Sequence, residues 1–173
     1  PVQTPLVIRS KTSTSTTDEF LTRRLDTGDV ITLDRTDAYA VTGVTHTYEF
    51  NSTLTTIPVS DFELVTGQND THYAKSQLIY RGKLSLKSGT VRVTYSRYAH
   101  GAGNVFCRNS YSEALEHTPT YEELKLANCL DFRPSRIDTT GSSKIKPNSL
   151  VSGVEFTYYN PRKDIVVLNQ LGD

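Results

Sequence analysis

The stretch "TVRVTYSRY" at residues 90–98 carries the clearest structural signal in the chain. Its side chains alternate one by one, with Val91, Val93 and Tyr95 on one side and Arg92, Thr94 and Ser96 on the other. Successive side chains of a strand point to opposite faces of a sheet, so this alternation predicts a strand with one buried and one solvated face.

Further strands are predicted on both sides of this segment. They are indicated by "DVITL" (29–33), "AYAVTGV" (38–44), "THTYEF" (45–50), "DFELV" (61–65), "QLIY" (77–80), "VEFTYYN" (154–160) and "DIVVL" (164–168). These runs are rich in β-branched and aromatic residues, which fit a pleated, half-buried surface. We therefore predict a mainly β fold, either a β-sandwich or two packed antiparallel sheets, with one or two short helices.

Three segments interrupt the β pattern. "SKTSTSTT" (10–17) is polar and of low complexity, which predicts a flexible loop. "DEFLTRRL" (18–25) has apolar residues at helical spacing and predicts two helical turns. "PTYEELKLANCL" (119–130) has Thr120 three residues before Glu123, a capping-box pattern that predicts a short helix. This divides the chain into an N-terminal segment, 1–28, and a β-rich domain, 29–173.

Composition narrows the classes of partner. The chain has 19 basic and 19 acidic residues, so no bulk positive field attracts nucleic acid, and we expect no nucleic-acid partner. The longest apolar runs fall well short of the roughly 20 residues that a spanning helix needs, so no membrane insertion is expected. Because the sequence starts at Pro1 and contains no Met, we expect it to be a segment of a longer protein.

The metal-binding residue types are scattered. The histidines at 46, 72, 100 and 117 lack the spacing of a helical metal site, and no metal or cofactor is predicted. Cys107 and Cys129 stand 22 residues apart without a second pair. The sequence allows two alternatives for them: two separate buried thiols, or one disulfide.

"YAHGAGNVF" (98–106) most resembles an active-site loop, with His100 beside two glycines. One interpretation is a loop that approaches a ligand, with His100 as acid or base. The other is a glycine-permitted reversal, which we favour because no nucleotide-binding or hydrolase motif accompanies it. Tyr98, Asn104 and Tyr111 are the candidates for an exposed glycan-binding groove.

"NCLDFRP" (128–134) combines a carboxylate, a ring, a guanidinium and a proline. In an extended segment Asp131 and Arg133 point to one side and Phe132 to the other. We predict a rigid corner in which Phe132 anchors into the core, Pro134 fixes the exit, and Asp131 and Arg133 bind nearby backbone or charges. On this prediction, Phe132→Ala costs about 3–5 kcal/mol.

Four segments together resemble a family of virion structural proteins of contractile-tailed bacteriophages, from the baseplate and tail-fibre region. The segments are "LDRTDAYAVTGV" (33–44), "VSDFELVTGQNDTHYAKSQL" (59–78), "GTVRVTYSRYAHGAGNVFCRNSY" (89–111), and "PTYEELKLANCLDFRP" (119–134) continuing to "VEFTYYNPRKDIVVLNQLGD" (154–173). The landmarks of these segments are an Asp and a Tyr in the first, Gly-Gln-x-Asp and a Tyr in the second, His-x-x-Gly in the third, and Asp-Phe-Arg-Pro with an aromatic pair and Arg162 in the fourth.

The resemblance implies a noncatalytic building block of the virion, located in the tail or baseplate. Its partners would be other virion proteins in an oligomeric assembly, contacted through strand edges and patches of Tyr and Arg. Tyr98, His100, Asn104, Tyr111 and Arg162 are the candidate contact residues. Two alternatives stay open at this point: a module that binds host surface glycan, and a tail-associated hydrolase.

Overall fold

A computed structural model describes residues 7–111 and 118–137, and it is mainly β in these ranges. The strands are β1 (Lys11–Thr22), β2 (Val30–Thr36), β3 (Ala38–Tyr48), β4 (Leu54–Ile57), β5 (Phe62–Val65), β6 (Lys75–Tyr80), β7 (Gly89–His100), β8 (Thr120–Tyr121) and β9 (Leu124–Lys125). The helical elements found there are single 3-10 turns at Val59–Asp61, Arg108–Ser110 and Leu126–Asn128.

The strands form two main antiparallel sheets. One sheet has the order β1-β7-β3-β4, the other has the order β2-β6-β5, and β8 and β9 form a separate hairpin. Val91, Val93 and Tyr95 of β7 are fully buried while Arg92 is exposed, as the alternation in 90–98 predicts. The core draws on both sheets: Ile31, Leu33, Phe62, Leu78 and Tyr80 from one, and Val44, Ile57, Val91, Val93 and Tyr95 from the other. The predicted β-sandwich class is confirmed.

The Ser/Thr-rich run is a strand, so the prediction of a loop at 10–17 and of a helix at 18–25 is wrong. Every residue of β1 from Lys11 to Thr22 pairs with β7, from His100 to Gly89, without a bulge. Phe20 packs against the core. The pairing partner lies about 70 to 90 positions away, and local composition carries no information about it.

The predicted helix at 119–130 is also wrong. Strands β8 and β9 form a two-residue hairpin in which Glu122 and Glu123 have φ of 47° and 69°. Two central residues with positive φ fit the tight turn whose twist matches that of the flanking strands. The chain then makes the 3-10 turn that buries Leu126 and Ala127. Tertiary packing thus overrides the local helical pattern.

Other strand predictions differ only in extent. The runs 38–44 and 45–50 form one continuous strand, β3, which shifts register twice against β7. Strand β4 gave no recognised signal in the sequence. The strands predicted at 154–160 and 164–168, together with Arg162 and His117, lie outside the described residues.

Candidate functional site

Several candidates from the sequence meet at one buried centre at the C-terminal end of β7. Tyr98 and Tyr111 contact each other edge to face at 5.5 Å between ring centroids. Both rings lie within 6.0 Å of the ammonium of Lys11. His100 and the Asp131–Arg133 pair lie on other sides of the same centre. We call this cluster the ionic network and define it as Lys11, Asp37, Tyr73, His100, Phe106, Asp131 and Arg133.

Lys11 is the central residue of the ionic network, and it has no exposed surface. Its Nζ donates to Asp37 Oδ2 at 2.8 Å and to the hydroxyl of Tyr73 at 2.9 Å. It also lies 4.3 Å from the ring centroid of Tyr73 and 4.7 Å from that of Phe106. A fully buried lysine is rare unless it is paired, and this one is paired.

Asp37 is the anionic partner, and it sits in the single-residue link between β2 and β3. Its Oδ2 accepts from Lys11 and lies 2.7 Å from His100 Nε2. Its backbone is left-handed, with φ 58°, and its carbonyl accepts the backbone N–H of Tyr98 at 3.0 Å. Aspartate tolerates this conformation better than most residues do. The turn directs the carboxylate towards Lys11 and His100, where its exposure is 1%.

Asp131 and Arg133 bind each other and the neighbouring chain. Arg133 donates from Nε and from its backbone N–H to Asp131 Oδ1, both at 2.9 Å. The guanidinium also donates to the carbonyl of Asn69 at 3.0 Å and to the hydroxyl of Tyr73 at 3.2 Å. Tyr73 in turn donates to Asp131 Oδ2. Tyr73 therefore bridges the two ion pairs of the ionic network.

The predicted core anchor at Phe132 is wrong, because this side chain is 42% exposed. Asp131 and Arg133 share one side of the segment, as expected, but it is the charged side that faces the interior. Asp131 is buried, and its backbone exchanges two hydrogen bonds with Phe106 at 2.8 and 2.9 Å. Pro134 accepts the backbone N–H of Tyr73 at 2.9 Å, which holds the exit of the corner beside Tyr73.

The glycines after His100 make room for the N-terminal chain. Gly103 has φ 139°, and a Cβ there would lie 2.8 Å from the carbonyl of Val7. Arg9, which is 2% exposed, donates from Nε to the carbonyl of Gly101 at 3.0 Å and lies 4.3 Å above the ring of Phe106. The loop is therefore a reversal that receives the residues leading into β1, which agrees with the interpretation that the sequence favours.

The exposed glycan groove predicted around Tyr98, Asn104 and Tyr111 is not formed. Tyr98 is 3% exposed and stacks at 4.8 Å on Tyr39. Asn104 lies outside the ionic network. Its Oδ1 accepts the backbone N–H of Val7 at 2.9 Å. The rings of Tyr39 and Tyr111 pack against Tyr98, so its ring is not available to line a groove.

Burial and charge act against each other on the carboxylates. Burial alone would raise the pKa of Asp37, but the ammonium of Lys11 and the hydrogen bond from His100 outweigh it and lower the pKa to about 2. Burial likewise opposes ionisation of Asp131, and its bonds from Arg133 and Tyr73 again win and lower its pKa. Both carboxylates are therefore ionised at neutral pH.

For the basic residues Lys11 and His100, burial is the dominant effect and lowers the pKa. It lowers the pKa of Lys11, against the attraction of Asp37. It also lowers the pKa of His100, against the hydrogen bond with Asp37. His100 Nδ1 is buried and has no hydrogen-bond partner among the described residues, so a proton there would be an unsatisfied donor. The imidazole is thus neutral, with Nε2–H donating to Asp37.

His100 should make stability depend on pH. The unfolded chain binds a proton on this residue near its ordinary pKa of about 6.5, whereas the folded chain binds it only at lower pH. The unfolded state therefore holds more protons, and the free energy of unfolding falls as pH drops from about 7 toward 5. We expect His100→Gln to flatten this slope in urea unfolding measured across that range.

His72→Gln is the matched control for this measurement. His72 is half-buried, and its ring bonds the hydroxyl of the adjacent Thr71 at 3.0 Å, outside the ionic network. This variant should keep the wild-type slope. An unchanged slope in His100→Gln would contradict the assignment of a neutral, buried imidazole.

The described chain also contains two cysteines and one surface groove. Cys107 and Cys129 are free and half-buried. No group of three or more His, Cys, Asp or Glu within residues 7–111 and 118–137 could hold a metal ion. None of the helical turns in those ranges has the length and apolar character to cross a membrane. A shallow groove of about 330 Å³ lies between β1 and β2, lined by residues that include Phe20, Leu21, Leu25 and Val30.

The fold and the site define a β-sandwich held together at one end by a buried ionic network. No protein-family model matches the chain, and searches of curated proteins and of solved structures find no significant match. The ionic network and the resemblance of the four segments are the features of the chain that bear on its function.

Proposed function

We propose that the chain is a noncatalytic structural and assembly domain of a phage tail or baseplate protein. One observation carries the proposal. Each of the four segments that resemble the phage family contributes a landmark residue to the ionic network: Asp37, Tyr73, His100 and Asp131. The landmarks of a scaffold protein are expected at the contacts that fix its shape.

The bonds of the ionic network join distant parts of the chain. Lys11 and Tyr73 are 62 positions apart, and Tyr73 and Asp131 are 58 apart. Buried ion pairs add little net stability compared with apolar packing, but a broken pair is costly, so they favour one arrangement over others. A domain with a single fixed geometry suits a particle in which each subunit must hold its neighbours in register.

The docking surface that fits this role is the open side of the sandwich. Among the described strands, β1 and β2 are the edges of their sheets, and edge strands present unpaired backbone groups to which another strand can add. Leu21 is 90% exposed and Val30 is 52% exposed beside the groove between these strands. Apolar side chains next to free strand edges are typical of a surface covered on assembly.

Mass spectrometry of purified particles tests the proposal. We expect peptides of this chain in tails separated from capsids, in a constant ratio to known tail proteins. Recovery of the chain only from the soluble lysate would overturn the proposal. Degradation of host polysaccharide by the purified chain, lost in His100→Ala, would favour the hydrolase instead.

The docking surface has a separate test in particles that carry variants. Leu21→Glu should leave the melting temperature unchanged, because the side chain is solvated, and should reduce incorporation into tails at least about tenfold, because a charge must then be desolvated at the interface. Leu84→Glu is the control, since Leu84 is 79% exposed and does not line the groove. Equal incorporation of both variants would exclude this surface.

A further inference from the structure

Lys11 and Asp37 place a nucleophile and an electrophile in direct contact inside the protein. The Nζ–Oδ2 distance is 2.8 Å, and the side chains are 0% and 1% exposed. The carboxyl carbon of Asp37 is one bond beyond the contacted oxygen. No other Lys–Asp or Lys–Glu ion pair between described residues is buried in this way. Lys75 and Asp34 are similarly close, at 3.0 Å, but both side chains are substantially exposed.

The surroundings of this pair exclude water and supply proton carriers. The rings of Tyr73, Phe106, Tyr111 and Tyr98 lie 4.3 to 6.0 Å from Nζ. A second carboxylate, Asp131, is connected to Nζ through the hydroxyl of Tyr73. His100 Nε2 contacts the Asp37 oxygen that Lys11 also contacts. The pair therefore has a hydrogen-bonded partner on the amine side and another on the carboxyl side.

The backbone of Asp37 adds an independent observation. A left-handed conformation in a fully buried, non-glycine residue costs free energy and is retained where the surroundings or a function require it. Here the conformation aims the carboxylate at Lys11. Holding two reactants in a fixed contact replaces a bimolecular encounter and can lower the barrier by several kcal/mol, roughly 7–11 in favourable cases.

We propose that Lys11 and Asp37 form an intramolecular isopeptide bond, which closes a covalent link between β1 and the β2–β3 junction. This modification goes beyond the proposed function and does not depend on it. The ion pair contains all the atoms of the reaction. Lys11 Nζ forms a bond to Asp37 Cγ, one Cγ–Oδ bond breaks, and the oxygen leaves as water.

The protons balance within the pair. The ammonium carries three, of which one stays on the amide nitrogen and two leave with the oxygen, so no oxidant, reductant or co-reactant is needed. One ammonium proton moves to the contacted oxygen of Asp37, and a second passes through the hydroxyl of Tyr73 to Asp131 as the amine attacks and returns to the departing oxygen, so that Asp131 ends ionised as it began. His100 keeps its proton and stabilises that oxygen by donating Nε2–H to it. Burial favours the uncharged amine of Lys11, the form that attacks. The product removes two buried charges, which burial also favours.

The mass of the intact wild-type chain is the decisive measurement. We expect the purified, denatured protein to be lighter by one water than its sequence requires. Trypsin should then yield a branched peptide in which 10–23 is joined to 36–75, because cleavage after an amidated Lys11 is blocked. A mass equal to that of the unmodified sequence would overturn the proposal, as would a water loss confined to one linear peptide.

Variants identify the residues that carry the reaction. Lys11→Met should restore the full mass, whereas Lys75→Met, at the exposed pair with Asp34, should retain the water loss. Asp131→Asn keeps the volume of the side chain but not its charge, and should slow bond formation at least about tenfold in freshly refolded protein followed by mass. A wild-type rate in Asp131→Asn would remove it from the proton route. A water loss that persists in Lys11→Met would refute the bond itself.

Discussion

Replacing Asp37 with alanine is expected to lower the free energy of unfolding by about 3–5 kcal/mol. The variant leaves the ammonium of Lys11 with no exposed surface and no anion in direct contact. It also removes the acceptor of His100 Nε2 and puts a residue less tolerant of positive φ at 58°. An isopeptide bond between Lys11 and Asp37 would add to the loss, because the variant cannot form one.

Urea unfolding at neutral pH measures this loss, and Asp34→Ala is the matched control. Asp34 is paired with Lys75 at 3.0 Å, but both side chains are exposed, and such pairs contribute about 0–1 kcal/mol. The two variants therefore remove the same chemical group from a buried and from a solvated pair. Similar losses in both would show that Asp37 is not a buried, essential partner of Lys11.

In protein whose Lys11 and Asp37 are still an ion pair, acid titration provides a second measure of the same group. The folded pKa of Asp37, about 2, lies below the ordinary value near 3.9, so its contribution is complete above about pH 4 and is lost as pH falls toward 2. Asp37→Ala should lack this part of the acid transition. The contribution of His100 lies at higher pH, between about 7 and 5, so the two residues can be separated in one series of measurements.

The parts of the fold that sequence patterns predict are those with a local signature. In β7, strict alternation matches one buried and one solvated face, and the prediction is confirmed. In β1 the residues are nearly all polar, and the strand exists because β7 offers it twelve paired positions. At 119–130 a true capping pattern is present, but Glu122 and Glu123 turn the chain instead. Long-range pairing with β7 decided the first failure, whereas the local hairpin and the burial of Leu126 and Ala127 decided the second.

The site residues also divide into those with a local sequence signature and those that only the fold brings together. His100, Asp131 and Arg133 are recognisable because they stand in short motifs with glycine or proline. Lys11 has no such context, since it is a single lysine in a Ser/Thr-rich run, and only the fold brings it to the interior. Asp37 and Tyr73 could have been predicted as site residues, because both belong to the segments that carry the resemblance to phage proteins. Their meeting point required the register of β1 against β7.

Truncating Phe106 to alanine is expected to cost about 3–5 kcal/mol, as for other fully buried aromatic rings. Phe106 is 0% exposed, and its ring lies 4.3 Å from the guanidinium of Arg9 and 4.7 Å from the ammonium of Lys11. The ring of His100 packs on it at 4.8 Å. The variant therefore opens a cavity beneath two buried cations and removes the aromatic face that each of them contacts.

Phe132→Ala is the control, and it decides between two accounts of the "DFRP" corner. The two variants delete the same ring, but Phe132 is 42% exposed, so its loss should cost only about 1 kcal/mol. If urea unfolding gives that contrast, the corner is held from within by Asp131 and Arg133, and Phe106 is the aromatic anchor. A loss of several kcal/mol in Phe132→Ala, with little change in Phe106→Ala, would instead mean that the ring at 132 holds the corner and that the ionic network is secondary.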